Sequence, residues 1–123
     1  MIRTLIVDDH KLMREGLVQI LSETQDIEVA GEARTGREAL VKVRQLKPDV
    51  VVLDISMPEM DGMTTLYTLK RDYPQLAVLM LSMYPEAQYA VRVLKAGGAG
   101  YLTKESASTE LIDAIRRVAS GGH

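Results

Sequence analysis

The chain has 123 residues, 15 Lys and Arg against 17 Asp and Glu, and no cysteine. That length fits one domain able to bury about two thirds of its unfolded surface. The net charge of −2 gives no whole-chain signal for nucleic acid or a membrane surface, and the missing thiols exclude disulfides, thiolate metal sites and thiol catalysis and fit a cytoplasmic protein.

Short apolar runs alternate with segments of helical period, which argues for a parallel sheet with helices on both faces. Strand one is expected over Ile2 to Asp8. Helix one follows from Lys11 to Ser22, with Met13, Leu17, Ile20 and Leu21 on one face. Strand two covers Ile27 to Ala33. Thr35-Gly36-Arg37-Glu38 reads as a capping box, with Thr35 as N-cap and Glu38 reaching back to its amide. Helix two then runs to Leu46, Pro48 stops it, and strand three is Val50 to Asp54, an apolar run buried on both faces. The loop Ser56 to Gly62 carries Pro58 and an Asp61-Gly62 turn signal. Helix three is expected from Met63 to Arg71, strand four from Ala77 to Ser82, and helix four from Glu86 to Ala96 with Gly97-Gly98 closing it. Strand five is Gly100 to Thr103, and helix five runs from Ala107 to Ala119 with Leu111, Ile112, Ile115, Val118 and Ala119 on its inner face. With no Phe or Trp, Leu, Val, Ile, Ala and Met must fill the core, the Met residues as adaptable gap-fillers.

Five βα units with right-handed crossovers predict an α/β, flavodoxin-like (βα)5 fold, a doubly wound parallel five-stranded sheet of order 2-1-3-4-5. The longest apolar stretches, such as Leu76 to Leu81, fall far short of the ~20 residues that span a bilayer. The N-terminus leads directly into strand one and leaves no room for a signal peptide.

Open parallel sheets keep their chemistry at the strands' C-terminal ends. In this topology strands one and three are neighbours, so Asp8, Asp9 and Asp54 meet there. Three carboxylates about 6 Å apart, at an effective dielectric near 20, repel by roughly 3 kcal/mol a pair. A cation relieves that repulsion. Oxygen-only ligation favours Mg²⁺ over Zn²⁺, with Asp9 and Asp54 as direct ligands, Asp8 acting mainly through water, and the Ser56 backbone carbonyl as a further ligand. Such an ion also neutralises a transferring phosphoryl group. Asp54 would be the nucleophile, Lys104 would pair with a phosphoryl oxygen, and Ser82 would donate its hydroxyl to another. Movement of Ser82 would vacate space beneath helix four that Tyr101 is placed to fill.

Asp8-Asp9, Asp54 with Met57-Pro58 and Asp61-Gly62, Ser82, and Tyr101 with Lys104 together resemble the receiver domain of bacterial two-component response regulators. Asp8-Asp9-His10 and the run Ala96 to Lys104 look most like the NarL/FixJ-type subfamily, transcription factors with a C-terminal helix-turn-helix of the LuxR type. The resemblance covers essentially the whole chain. It implies that Asp54 accepts phosphate from a phosphohistidine on a sensor histidine kinase with Mg²⁺, that Ser82 and Tyr101 form the switch pair, and that Lys104 contacts the phosphate. Ser82 stands where many relatives have Thr, which keeps the hydroxyl. Residues 1–120 read as the receiver, residues 121–123 as a remnant of linker or tag, and the DNA-binding domain as absent from this chain. DNA contact would come only through that domain, and a homodimer could form on phosphorylation.

Individually, Asp8 could simply cap helix one and Ser82 could be a turn hydroxyl. His10 reads as a helix-start residue, with a phosphorelay or metal role as the lesser alternative. Arg116-Arg117 reads as a solvated helix face, and Tyr89, Val93 and Lys95 as candidates for a partner surface. Three rival functions are weaker. An aspartyl phosphatase of the haloacid-dehalogenase type uses Asp-x-Asp, but Ser56 stands two after Asp54. A flavodoxin-like electron carrier needs a Ser/Thr/Gly-rich loop after strand one, where Asp8-Asp9-His10-Lys11 would repel a flavin phosphate. A pseudo-receiver that is never phosphorylated is disfavoured by the intact acidic set.

Overall fold

The structure is a computed structural model that describes residues 1–55, 61–83 and 87–121, and the side chains of residues 87–89 lie outside that description. The elements run β1 (Ile2–Val7), α1 (Lys11–Ser22), β2 (Ile27–Ala33), α2 (Gly36–Leu46), β3 (Val50–Asp54), α3 (Gly62–Asp72), β4 (Ala77–Ser82), α4 (Ala87–Lys95), β5 (Gly100–Thr103) and α5 (Ala107–Ala119). All strand pairs are parallel and the sheet order is β2-β1-β3-β4-β5, as the alternating pattern predicts.

Period-two alternation along the strands divides the core in two. Leu5, Val7, Val51, Leu53, Val78 and Met80 face one way and pack with Val43 of α2, Leu66 and Leu69 of α3, and Val93 of α4. Ile6, Val50, Val52, Leu79 and Leu81 face the other way and meet Leu17 and Leu21 of α1 and Leu111, Ile115 and Val118 of α5. Two helix faces differ from expectation. On α1 it is Val18, with Met13, that joins the core flank, while Ile20 is only half-buried. On α5 Ala114 is buried and Ala119 is exposed, because the inner stripe follows 111, 114, 115 and 118 and has turned away from the sheet one residue later. Among the described residues no helix is long and apolar enough to cross a membrane.

The helix ends follow their local chemistry. Thr35 Oγ1 accepts from the Glu38 amide at 3.1 Å, but the Glu38 carboxylate lies 4.0 Å from Lys42 Nζ on the next turn rather than reaching back. Gly97 closes α4 at φ 95°, where an L side chain is strained. The Gly98 amide bonds the Val93 carbonyl at 2.8 Å and the Gly97 amide the Leu94 carbonyl at 3.1 Å, the paired bonds of a Schellman cap. Helix α2 ends on Lys47 at φ 50°, and Arg3 of β1 donates to the Leu46 and Lys47 carbonyls, which would otherwise lack partners. The sequence gives no sign of the irregularity between β1 and β2, where the register slips between Thr4 and Leu5. Gly31 lies just past it, and a Cβ there would come within 2.6 Å of Leu46 Cδ1.

Helix α5 is tied to the α1–β2 connection by Arg116, whose Nε and Nη2 each donate at 2.8 Å to the Asp26 carboxylate. Arg116 is therefore more than a solvated residue. The guanidinium hydrogen bond holds the Asp26 carboxyl below its ordinary value and raises that of Arg116. A carboxyl depressed in the folded state adds stability above its unfolded pKa and loses it as pH falls through the folded one. Asp26→Asn is expected to lower the melting temperature at neutral pH, with the difference from wild type vanishing as pH drops below the ordinary carboxylate range. A difference independent of pH would disprove the ion-pair origin.

Candidate functional site

Three strand ends converge at one edge of the sheet. Val7 stands in register with Leu53, so Asp8, the first residue beyond β1, lies level with Asp54, the last of β3. Strand β1 stops at Val7 instead of running through Asp8. The Asp8 amide still bonds the Ala33 carbonyl of β2 at 3.0 Å, and the Ile55 amide bonds the Leu81 carbonyl of β4 at 3.0 Å, so both acids are carried on rigid backbone. Ser82 pairs with Thr103, and the Lys104 amide donates to the Ser82 carbonyl at 2.7 Å.

From β5, Lys104 extends across the end of β4. Its Nζ donates to Asp54 Oδ2 at 3.2 Å and lies 3.2 Å from Asp8 Oδ2. The contact with Asp8 is an ion pair without hydrogen-bond geometry, since Asp8 Oδ2 has no hydrogen-bond partner among the described residues. The lysine side chain is only 8% exposed and the two carboxylates 1% each. Charges so deep in the protein persist only when paired. One ammonium cannot neutralise Asp8, Asp9 and Asp54 together. Asp9 Oδ1 is likewise buried without a hydrogen-bond donor, and each such oxygen costs about 1–3 kcal/mol.

The donor set suits a hard dication. Asp8, Asp9, His10 and Asp54 each offer one ligand atom, all within 4.8 Å of one another. Carboxylate oxygens dominate, which fits an ion that prefers oxygen, and the two orphaned oxygens are the ones such an ion would satisfy. Of the other residues singled out in the sequence, Ser82 is buried at 2% exposure, and Tyr101 is half-buried against the cluster that contains Met80 and Val93. Ser56, Met57, Pro58, Tyr84 and Glu86 lie outside the described residues, as does the side chain of Tyr89. Val93 is fully buried and so cannot belong to a partner surface. Among the described side chains of α4, the exposed large apolar ones are Val91 and Leu94, at 50% and 52%.

Two positioning features are not legible in the sequence. Arg14 Nη1 donates to the Asp8 carbonyl at 2.8 Å while its Nε bonds Glu32 of β2 at 3.3 Å, so this arginine clamps the turn that carries the acids. Its partners come from a neighbouring strand, and helical spacing alone cannot name them. Gly62, read as part of a turn, is the first residue of α3. Asp61 caps that helix by accepting the Thr64 amide at 2.8 Å, and the Gly62 amide bonds the Ile55 carbonyl at 2.7 Å. A Cβ at Gly62 would overlap the Asp54 carbonyl oxygen and stand 2.5 Å from Ile55 Cα, so only glycine lets α3 start against the backbone of the acidic strand end.

A doubly wound five-stranded sheet with acids after β1 and on β3, and a buried lysine after β5, is the flavodoxin-like receiver architecture. Residues 4–116 match the response regulator receiver domain, and the chain belongs to that family. It is 41% identical over 121 residues to Response regulator GacA of Pseudomonas viridiflava, covering 98% of this chain and 56% of that protein. To Response regulator protein VraR of Staphylococcus aureus it is 40% identical over 120 residues, covering 98% of this chain and 57% of the relative. The chain thus spans little more than half the length of these relatives. Among solved structures, the two-component response regulator of the LuxR family from Aurantimonas sp. superposes with a TM-score of 0.94 at 30% identity, over 98% of this chain and 86% of the other.

Lys104→Ala leaves two buried carboxylates without their cation and is expected to destabilise the metal-free protein by about 3–5 kcal/mol, read as a lower urea midpoint; an unchanged midpoint would refute the ion-pair account. Gly62→Ala should cost about 1–3 kcal/mol through backbone overlap, measured in the same way, and no shift would show that α3 can start elsewhere.

Proposed function

We propose that this chain is the phosphorylation-dependent switch of a two-component system. Asp54 is the phosphoacceptor, and the supporting observation is its buried carboxylate held by Lys104 beside Asp8 at the mouth of the sheet. In this reading an oxygen of Asp54 attacks the phosphorus of a phosphohistidine on a sensor histidine kinase. The P–N bond breaks with its electron pair returning to the imidazole, and an acyl phosphate forms on Asp54. Asp9 and Asp54 would hold Mg²⁺ directly and Asp8 mainly through water, with the Ser56 backbone carbonyl as the further ligand expected from the sequence, and the ion would supply positive charge against the transferring phosphoryl oxygens.

Each remaining residue acts on charge or space. Lys104, already 3.2 Å from Asp54 Oδ2, exchanges a carboxylate partner for a phosphoryl oxygen. Ser82, in register with the residue preceding Lys104, donates its hydroxyl to another oxygen. A phosphoryl group adds nearly two negative charges and strong acceptors, which is enough to draw both donors toward β3. Tyr101 then turns inward beneath α4, and the α4–β5–α5 surface changes.

The switch regulates an output instead of turning over an external substrate. The receiver occupies residues 1–120. Output is transcriptional, through a helix-turn-helix domain C-terminal to the receiver, and phosphorylation favours a homodimer in the cytoplasm. Regulator relatives much longer than the matched region support this reading.

Intact mass after incubation with Mg²⁺ and a small acyl-phosphate donor tests the proposal. One phosphoryl group is expected on wild type, labile to hydroxylamine, and none on Asp54→Asn. An adduct that survives Asp54→Asn would refute the assignment. Mg²⁺ at millimolar concentration is expected to raise the wild-type melting temperature by binding the folded state alone, and a flat titration would remove the metal from the mechanism.

A further inference from the structure

His10 stands beside the acidic cluster, and its contacts conflict. Its Nδ1 lies 3.2 Å from Asp8 Oδ1 and 3.3 Å from Asp9 Oδ1, and 3.4 Å from Lys104 Nζ. The two carboxylate oxygens ask that nitrogen for a proton, while the ammonium asks it for a lone pair. One imidazole nitrogen cannot do both. The Asp8 Oδ1 atom also accepts the His10 amide at 2.9 Å. Meanwhile Asp9 Oδ1 and Asp8 Oδ2 are buried without a hydrogen-bond partner among the described residues.

The two separations from the imidazole nitrogen fit ligands sharing one ion. Around a metal with bonds near 2.1 Å, adjacent octahedral ligands are about 3.0 Å apart, and tetrahedral ones about 3.4 Å. The measured 3.2 and 3.3 Å lie in that interval. The imidazole is 62% exposed, so a hydrated ion can approach from its side.

We infer that His10 Nδ1, with Asp8 Oδ1 and Asp9 Oδ1, forms a mixed nitrogen and oxygen site that selects first-row transition dications such as Co²⁺ and Zn²⁺ over Mg²⁺. Imidazole suits these metals, whereas Mg²⁺ binds through oxygen. The site shares Asp8 and Asp9 with the proposed Mg²⁺ position and so rests on that reading for its location. A transition metal held there competes with Mg²⁺ and displaces Lys104 from the imidazole nitrogen. Transition-metal supply thereby becomes an input to the same pocket.

The test uses the full chain, which has two histidines, His10 and His123. Co²⁺ and Mg²⁺ affinities are measured by calorimetry for wild type, His10→Ala and the control His123→Ala, and Co²⁺ ligation is followed by its visible absorption. His10→Ala is expected to lower the Co²⁺ affinity at least tenfold relative to Mg²⁺, since even residues behind a ligand are worth 10–100-fold, and to alter the Co²⁺ spectrum; His123→Ala should do neither. A smaller change in that ratio, or an unaltered spectrum, overturns the inference. The acyl-phosphate adduct on Asp54 with Mg²⁺ is read separately, so loss of the receiver reading and loss of this inference are distinguishable.

Discussion

The Lys104 ammonium buried against the Asp8 and Asp54 carboxylates organises this molecule. Three elements distant in sequence, the ends of β1, β3 and β5, must be brought into register before that contact exists. Everything nearby serves to hold it. The apolar run Val50 to Leu53 of β3 places Asp54 at the sheet edge, the Asp8 amide is pinned to β2, and the Lys104 amide is pinned to β4. Among the described residues the charges do not balance, because three carboxylates face one ammonium. A site that is negative in excess and partly unsatisfied is ready for a cation and for a group that arrives with one.

That imbalance costs stability. Buried carboxylate oxygens without a donor among the described residues, Asp8 Oδ2 and Asp9 Oδ1, work against folding, and the two-sided core compensates through Leu, Ile, Val and Met packed on both faces of the sheet. Gly62 and Arg14 show a second form of the same support. One lets α3 begin directly on the backbone of Asp54, and the other clamps the turn that carries Asp8 and Asp9. Both brace the backbone around the acids, and in the proposed reading that spacing would set the metal affinity.

The pocket also links chemistry to surface. Lys104 follows the strand that carries Tyr101, and Ser82 lies one strand closer to Asp54. Tyr101 packs against the flank that includes Val93 of α4. A change of charge at Asp54 therefore has a short physical route to the exposed Val91 and Leu94. The chain's membership of the receiver family is consistent with a switch that works through such a route.

The sequence by itself determined the element order, the sheet order and the identity of the acids and the lysine. Apolar runs of strand length, helical spacing and caps such as Thr35 are local signals, and right-handed crossovers leave few topologies. Even so, local pattern misplaced Val93, which lies in the core rather than on a partner surface, and Ala119, which is exposed while Ala114 is buried. Helix rotation is set by what the helix packs against, and period alone does not fix it. Only tertiary structure decided the Arg116–Asp26 tie, the Arg14 clamp, the slip between Thr4 and Leu5, and the position of the His10 imidazole between two carboxylates and an ammonium. These depend on distances between residues from separate elements, and no spacing along the chain encodes a distance across the fold.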